Sequence, residues 1–424
     1  MANSFSKEER VAFENLLEGF HDALVLSRNV SVYNTDSVMM ERARDTIWRP
    51  MPYIAQSISS TPGSSIAASY QDMTQLAVPA SLGFSRTVPW TMTSLELRDA
   101  LQEGRLGDAA KQKLASDINV QIMNVAANQG TLVVPVSGAA GDYDDVALCD
   151  SIMNEQGVAT EDRYLALSSR DYNGLAGNLA VATRSFFNNN KSVTAYERSY
   201  VGMVAGFETY KLDYANRIAA AAGTVTIDTT GAQAEYVPAA TSTAVGGEIN
   251  VDNRFQTVTV SSTTGVVAGD AFTIDGVEAV HHITKSSTGQ PKTFRVISVD
   301  SATAMTISPP IISGAGGTDA ELQYKNVELA STSATASLTF LNTGASNINV
   351  FWQKDALELL PGRYAVPSDA GAAVMRASTD QGIELVMQKF YDIDSMTIKY
   401  RLDTLFGVVN KQPEMSGILL FNQP

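Results

Sequence analysis

Only one cysteine, Cys149, occurs in the 424 residues, so no disulfide can close within the chain. No apolar run approaches the roughly 18–20 residues needed to cross a bilayer. The opening MANSFSKEERVAFENLLEGF lacks a basic start followed by an unbroken apolar stretch, so no cleaved secretory signal is expected either. These absences predict a soluble protein without membrane contact that folds in a reducing cytoplasm. Positive charge is also short: 30 Lys and Arg stand against 45 Asp and Glu, a formal net charge of −15. Such a surface repels phosphate backbones at long range, so any nearby DNA would be contained by this chain rather than gripped by it.

Reactive constellations are missing as well. No P-loop, HExxH, CxxC or GxSxG pattern occurs. Of three histidines, His21 stands alone, and His281 and His282 are neighbours in an expected strand, where they would point to opposite faces and could not share one ion. Asp142, Asp144 and Asp145 read as first-turn carboxylates favoured by a helix dipole more simply than as a cation site. Asp392 and Asp394 have the look of paired glycosidase carboxylates, but a two-residue spacing in a strand is ordinary surface alternation. Cys149, within helical VALCDSIM, reads as a small buried hydrophobe. No catalytic residue, cofactor or metal is expected, and a structural or binding role explains the chain better than enzymatic chemistry.

What is present is strongly patterned. Ser6 and Glu9 have capping-box spacing, and Phe13, Leu16, Leu17, Phe20 and Leu24 form one apolar stripe. The opposite face carries Glu8, Glu14, Glu18 and Asp22, either a solvated outer face or a surface for a basic partner helix. Residues 45–64, with prolines at 50, 52 and 62, cannot be helix interior. They read either as an extended arm onto a neighbouring subunit or as a long hairpin on their own domain. Residues 108–129 give the strongest helix signal, with Asp108 as N-cap, Gly130 as a left-handed stop, and Ala110, Leu114, Ile118, Ile122 and Val125 on one face. Its 22 residues would reach about 33 Å, enough for a strut. TLVVPV (131–136), an acid-capped helix over 141–158, the strand YLALS (164–168) and a helix over 168–179 then alternate as a mixed α/β domain to about residue 222.

From Thr224 the texture changes to short Thr/Ser/Val-rich runs such as FQTVTVSS, AFTIDGVEAVHHI and TFRVISVDSATAMTIS, separated by Gly, Asp and Ser. Asp275-Gly276 reads as a two-residue hairpin turn. SGAGG (313–317) and VGGE (245–248) read as turns. Several short antiparallel strands predict a small barrel or sandwich. The mixed pattern returns at NINVFWQKDALELL (347–360), so the middle passage is an insertion.

The passages VDNRFQTVTVSSTTGVVAGDAFTIDGVEAV (251–280) and TFRVISVDSATAMTISPPII (293–312) carry a resemblance. Together with DTIWRPM (45–51), 95–134, VAGFETYKL (204–212) and NVFWQKDALELL (349–360), they resemble the major capsid (coat) proteins of tailed double-stranded DNA bacteriophages, of the Salmonella-infecting podovirus type. The resemblance implies an α+β capsid fold with an inserted six-stranded antiparallel β-barrel. Its implied parts are an N-terminal arm (1–44), an extended loop (45–90), a peripheral domain with a spine helix (91–134), an axial domain (135–223), the barrel (224–343) and a return to the axial and peripheral domains (344–424). It further implies pentamers and hexamers closing an icosahedral shell around double-stranded DNA, without sequence-specific binding. Assembly in the host bacterial cytoplasm would involve a scaffolding protein, a portal protein and a decoration protein where one attaches. VAFENLL (11–17) places Glu14, with Glu18 one turn on, at the scaffold contact. The barrel loop at 236–254 offers Glu248, Asp252 and Arg254 for contacts between capsomers. The competing readings are a non-viral shell protein, which the insertion opposes, and a β-rich tail or adhesin component, which the strut helix opposes.

Overall fold

The opening stripe folds as expected: helix α1 (Lys7–Ala23) buries Phe13, Leu16 and Phe20, with Leu24 buried just beyond its end. The computed structural model describes residues 7–33, 46–51, 55, 57, 61–63, 65–67, 70, 72–93, 100–182, 195, 197–227, 235–329, 335–364, 366 and 372–423. Ser6, and with it the expected capping box, lies outside them, as does most of 52–71 in the arm region. Two compact units are built from interleaved stretches of chain. The first comprises Met1–Ile47, Pro79–Val125 and Leu357–Val409; the second comprises Trp48–Val78, Ala126–Ala356 and Asn410–Pro424.

In the first unit a sheet runs in the order Ser31–Val32, Leu357–Pro361, Thr397–Asn410, Glu384–Asp392, Ala373–Ser378, and Phe84–Thr93 also pairs with Thr397–Asn410. Trp90 lies opposite Tyr400 in that ladder, and their rings stack with centroids 5.4 Å apart. Buried Asp403 ties three strands together by accepting from Arg401 Nε at 2.7 Å, Gln388 Nε2 at 3.1 Å and Thr87 Oγ1. Glu9 of α1 reaches the same sheet, accepting from Lys389 Nζ and from Tyr400 Oη.

The strut helix α2 is longer than its periodicity predicts, spanning Ala100–Gln129, so its 30 residues reach about 45 Å. It runs straight through Gly107 and Asp108, where an N-terminus was expected. The helix holds two interior glycines, Gly104 and Gly107, each costing about 1 kcal/mol relative to alanine, so it is not propensity that sustains its first turns. Ala110, Leu114, Ile118 and Ile122 are buried and Val125 is half-buried. Gly130 ends the helix for another reason than the expected one, since it is absent from the residues with positive φ. A Cβ there would stand 2.8 Å from the Ala126 carbonyl and 3.1 Å from the Gly417 nitrogen. Close backbone approach, not left-handed geometry, demands the glycine.

The second unit holds two larger sheets. One is mixed, in the order Leu132–Pro135, Ser416–Leu420, Ser346–Gln353, Arg163–Ser168, Phe207–Leu212, Met203–Val204, with Arg217–Ile218 also on Ser346–Gln353. Helices α3 (Tyr143–Glu155) and α4 (Ser169–Ala182) share a core with it, built on Val146, Cys149, Met153, Leu165, Phe207 and Phe351. Fully buried Arg163 locks the turn after α3, donating to the carbonyls of Ala159 at 2.8 Å and Val158 at 2.7 Å, and pairing with Asp150.

The other sheet is the predicted antiparallel passage, ordered Thr226–Ile227, Ala336–Phe340, Ala271–Val280, Ser287–Ser301, Ala304–Ser308, Gln256–Thr259. A bridge between Ile227 and Val260 brings the first and last of these six strands together, which nearly closes a barrel. Phe272, Phe294, Val296 and Ile307 fill its core. Asp275-Gly276 is not a hairpin turn. Gly276, at φ 78°, sits inside strand Ala271–Val280 as a bulge at which the strand changes partner, from Ala336–Phe340 to Val327–Leu329. Outside the barrel, Thr241–Ala244 and Gly247–Asn250 form their own two-stranded hairpin, turned at Gly246 and Gly247 with φ of 114° and 132°.

Candidate assembly surfaces

Several of the residues weighed for chemistry in the sequence are held in structural roles. Asp145 Oδ2 accepts from the backbone of Asp142 at 3.2 Å, closing a capping box on α3. Burial, helped by Asp145 and Asp150, pushes the Cys149 thiol far up, so it stays protonated and unreactive. Lys399 Nζ donates to Asp392 at 2.9 Å, and hydrogen bonds from Lys399 and Ser395 hold this exposed carboxyl below its ordinary range, the opposite of what a general acid needs. The two histidines lie past the strand's end, in a turn. His281 Nδ1 accepts from the Ile283 and Thr284 amides at 3.2 Å each, while His282 is buried. Among the described residues no three His, Cys, Asp or Glu side chains could hold a metal ion.

Glu14 and Glu18 are both exposed, one turn apart on the side of α1 away from Phe13, Leu16 and Phe20. The side chains of Glu8 and Asp22, the other members of the acidic strip, lie outside the described set. Between positions 236 and 254, the hairpin Thr241–Asn250 is exposed along nearly its whole length, with Val245 at its tip and Glu248 on its second strand. Asp252 and Arg254 behave differently from Glu248. Buried Arg254 forks onto Asp252, with Nε–Oδ1 at 2.9 Å and Nη2–Oδ2 at 2.7 Å, and its Nη1 donates to the Asn410 carbonyl at 2.8 Å. These two charges face each other and anchor the base of the hairpin, which leaves Glu248 as the outward-facing charge of the three.

Sequence reading missed the residues that fasten the barrel to the mixed sheet. Strand Ser287–Ser301 turns Phe294 and Val296 into the barrel core and sends Thr293 and Arg295 the other way. Thr293 Oγ1 donates to the Thr131 carbonyl at 2.8 Å. Fully buried Arg295 donates to Gly269 O at 3.0 Å, Ala127 O at 3.0 Å and Gly130 O at 3.3 Å. Lys292 Nζ donates to Gln156 Oε1 at 2.7 Å and Glu414 Oε1 at 2.6 Å. The available signal was two cations inside PKTFRVISV, a run that otherwise reads as barrel core. Helix α5 (Asp319–Tyr324) holds the segment at 72–74: Tyr324 Oη donates to the Thr74 carbonyl at 2.9 Å, and Asp319 accepts from the Asp72 amide at 2.9 Å.

A family model described as P22 coat protein, gene protein 5, matches residues 1–422. Among solved structures, one from Mycobacterium phage Che8 aligns at 9% identity and TM-score 0.44, covering 94% of this chain and 91% of that one. The capsid of the cyanophage P-SCSP1u aligns at 10% identity and TM-score 0.45, covering 95% and 89%. The CUS-3 coat protein I-domain shares 42% identity over 28% of this chain and 96% of its own length, with a TM-score of 0.23.

Proposed function

The chain belongs to the P22 coat protein family, and from that premise we propose that it closes an icosahedral shell as pentamers and hexamers. That it is a structural subunit which self-assembles into a phage capsid, and resides in the virion, follows from the family itself. The finer reading assigns residues 1–44 to an arm, 45–90 to an extended loop, 91–134 to a peripheral domain, 135–223 and 344–424 to the axial parts and their return, and 224–343 to the inserted barrel. Head-to-tail contacts generate rings, and one sequence forms rings of five and six only if its joints flex. Many modest contacts repeated over a shell then give strength by avidity. In this reading the subunit assembles in the bacterial cytoplasm with scaffolding and portal proteins, accepts a decoration protein where one exists, encloses double-stranded DNA and catalyses nothing. The observation that carries it is a family match over residues 1–422. Electron microscopy of subunits co-expressed with a scaffolding protein tests it. Uniform closed shells with five- and six-membered rings are expected, and particles made only of open sheets or a single ring size would refute it.

The exposed Glu14 and Glu18 are the proposed scaffold contact, where a basic helix would meet the acidic strip. Reversing both to lysine should leave subunit stability within about 0.5 kcal/mol, because neither side chain is buried, and should cut scaffold-assisted shell yield about tenfold. Equal yields from wild type and the double variant, compared by sedimentation, would remove the assignment.

The hairpin Thr241–Asn250 is the proposed contact between capsomers, with Glu248 as its outward charge. Replacing 241–250 by a short Gly-Ser linker should spare the barrel core, to which the hairpin contributes no residue, while finished shells fall apart at lower temperature or denaturant. Calorimetry of subunits and of shells would separate the two effects. A loss confined to the isolated subunit would contradict the assignment.

A further inference from the structure

His282 sits where the barrel meets the end of α3 and the C-terminal segment, all within the second unit. Its residue is 8% exposed, and neither ring nitrogen has a hydrogen-bond partner among the described residues. The nearer one, Nε2, is 3.5 Å from Glu414 Oε2. The His282 backbone N–H donates to the Gln156 carbonyl at 3.2 Å, so the ring is pinned at the C-terminal cap of α3. A cavity of about 40 Å3 opens beside it, lined by His282, Gln412, Glu414, Asn326 and Arg254 among others. Glu414 is already engaged, accepting from Lys292 at 2.6 Å and from Asn326 Nδ2 at 3.2 Å.

We propose that this seam is an acid-sensitive latch, closed while His282 is neutral and Glu414 ionised, and opened between the barrel and the C-terminal segment when the histidine takes up a proton. The charged groups that face the ring are Glu414 from the C-terminal segment, Lys292 from strand Ser287–Ser301, and Lys285 and His281 from the same turn as His282. Arg254 lines the same cavity. A proton on His282 would therefore place another buried cation among lysines that already share one carboxylate.

The direction of the effect follows from burial. Burial pulls His282 down to about 4, against the attraction of Glu414 and with the help of Lys292, Lys285 and His281. An unfolded histidine titrates near 6.5. Below pH 6.5 the unfolded chain binds the proton and the closed seam does not, so stability is complete above that pH and lost as pH falls toward 4. Between those limits the closed fraction's equilibrium constant drops by up to about tenfold per pH unit. Glu414 acts later. Burial pushes its carboxyl up, but Lys292, His282 and the hydrogen bonds from Lys292 and Asn326 outweigh that and hold it at about 2, so its contribution disappears only from about pH 4.5 downward.

With only three histidines in the chain, histidine-labelled, unassembled full-length subunits allow a direct NMR titration. One imidazole should stay neutral to pH 5 or below, and the amides of His282 and Met415, which donate to the Gln156 and Gln412 carbonyls, should lose protection, corrected for intrinsic exchange, between pH 6.5 and 4. The variant H282F, which fills the ring's space without a titratable group, should keep that protection and show flat stability over the same range. A His282 that titrates near 6.5 would overturn the proposal, as would an H282F profile superimposable on wild type. Should H282F fail to fold, the titration of the wild-type ring decides alone.

Discussion

Arg295→Ala should destabilise the second unit by about 3–5 kcal/mol, among the largest losses a single substitution in this chain can cause. The guanidinium is fully buried and supplies hydrogen bonds to three carbonyls, those of Ala127, Gly130 and Gly269. Ala127 and Gly130 lie at the C-terminal end of α2, where carbonyls lack helical partners and the helix dipole favours a cation. Burial pulls this arginine down to about 10, with Asp270 opposing, so it remains charged at neutral pH. Alanine would abandon those acceptors in the dry interior and leave a void the size of the side chain. Arg295→Met should recover the packing and little of the rest, and Arg295→Lys should recover only part of the hydrogen bonding, because one ammonium cannot reproduce the fork. Urea unfolding of unassembled subunits, followed through buried Trp352 of the same unit, gives the measurement. An Arg295→Ala midpoint within about 1 kcal/mol of wild type would show that the carbonyls find other donors.

The elements themselves were legible wherever burial follows local periodicity. The stripe of α1, the face of α2, the alternation from YLALS onward and the run of antiparallel strands after Thr224 all follow from side-chain spacing. Misreadings cluster where a partner distant in sequence decides. Gly276 looks like a turn because Asp-Gly usually is one, yet it becomes a bulge once 271–280 must serve two partner strands. Gly130 looks like a left-handed cap because it follows a helix, yet its need arises at Gly417, far along the chain. The candidate sites show the same division. The outward face of Glu14 and Glu18 was readable from pattern, whereas Glu248 came from the resemblance alone and the pairing of Asp252 with Arg254 was not readable at all. Arg295, Lys292 and Glu414 were passed over because their partners lie mostly far along the chain: the Ala127 and Gly130 carbonyls for Arg295, Gln156 for Lys292, and Lys292 and Asn326 for Glu414.

Gly417→Ala should cost about 2–4 kcal/mol, and a paired substitution shows why. Gly417 lies in strand Ser416–Leu420, parallel to Leu132 on one side and opposite Phe351 on the other. A Cβ there would stand 2.4 Å from the Leu132 carbonyl oxygen, 2.5 Å from Phe351 Cζ and 2.6 Å from Leu132 Cβ. The ring can be trimmed, but the carbonyl belongs to edge strand Leu132–Pro135, whose one ladder is with Ser416–Leu420, and it cannot retreat without parting the two strands. Overpacking that only side chains must absorb costs about 1–3 kcal/mol, and displaced backbone adds to it. Gly417→Ala combined with Phe351→Leu should therefore recover less than half of the loss, after allowance for the Phe351→Leu cost measured alone. Full recovery in the double variant would mean that the aromatic ring alone excludes a side chain at 417. Exchange protection at the Leu132 and Val133 amides reads the strand separation directly, and it should fall in the single and double variants alike.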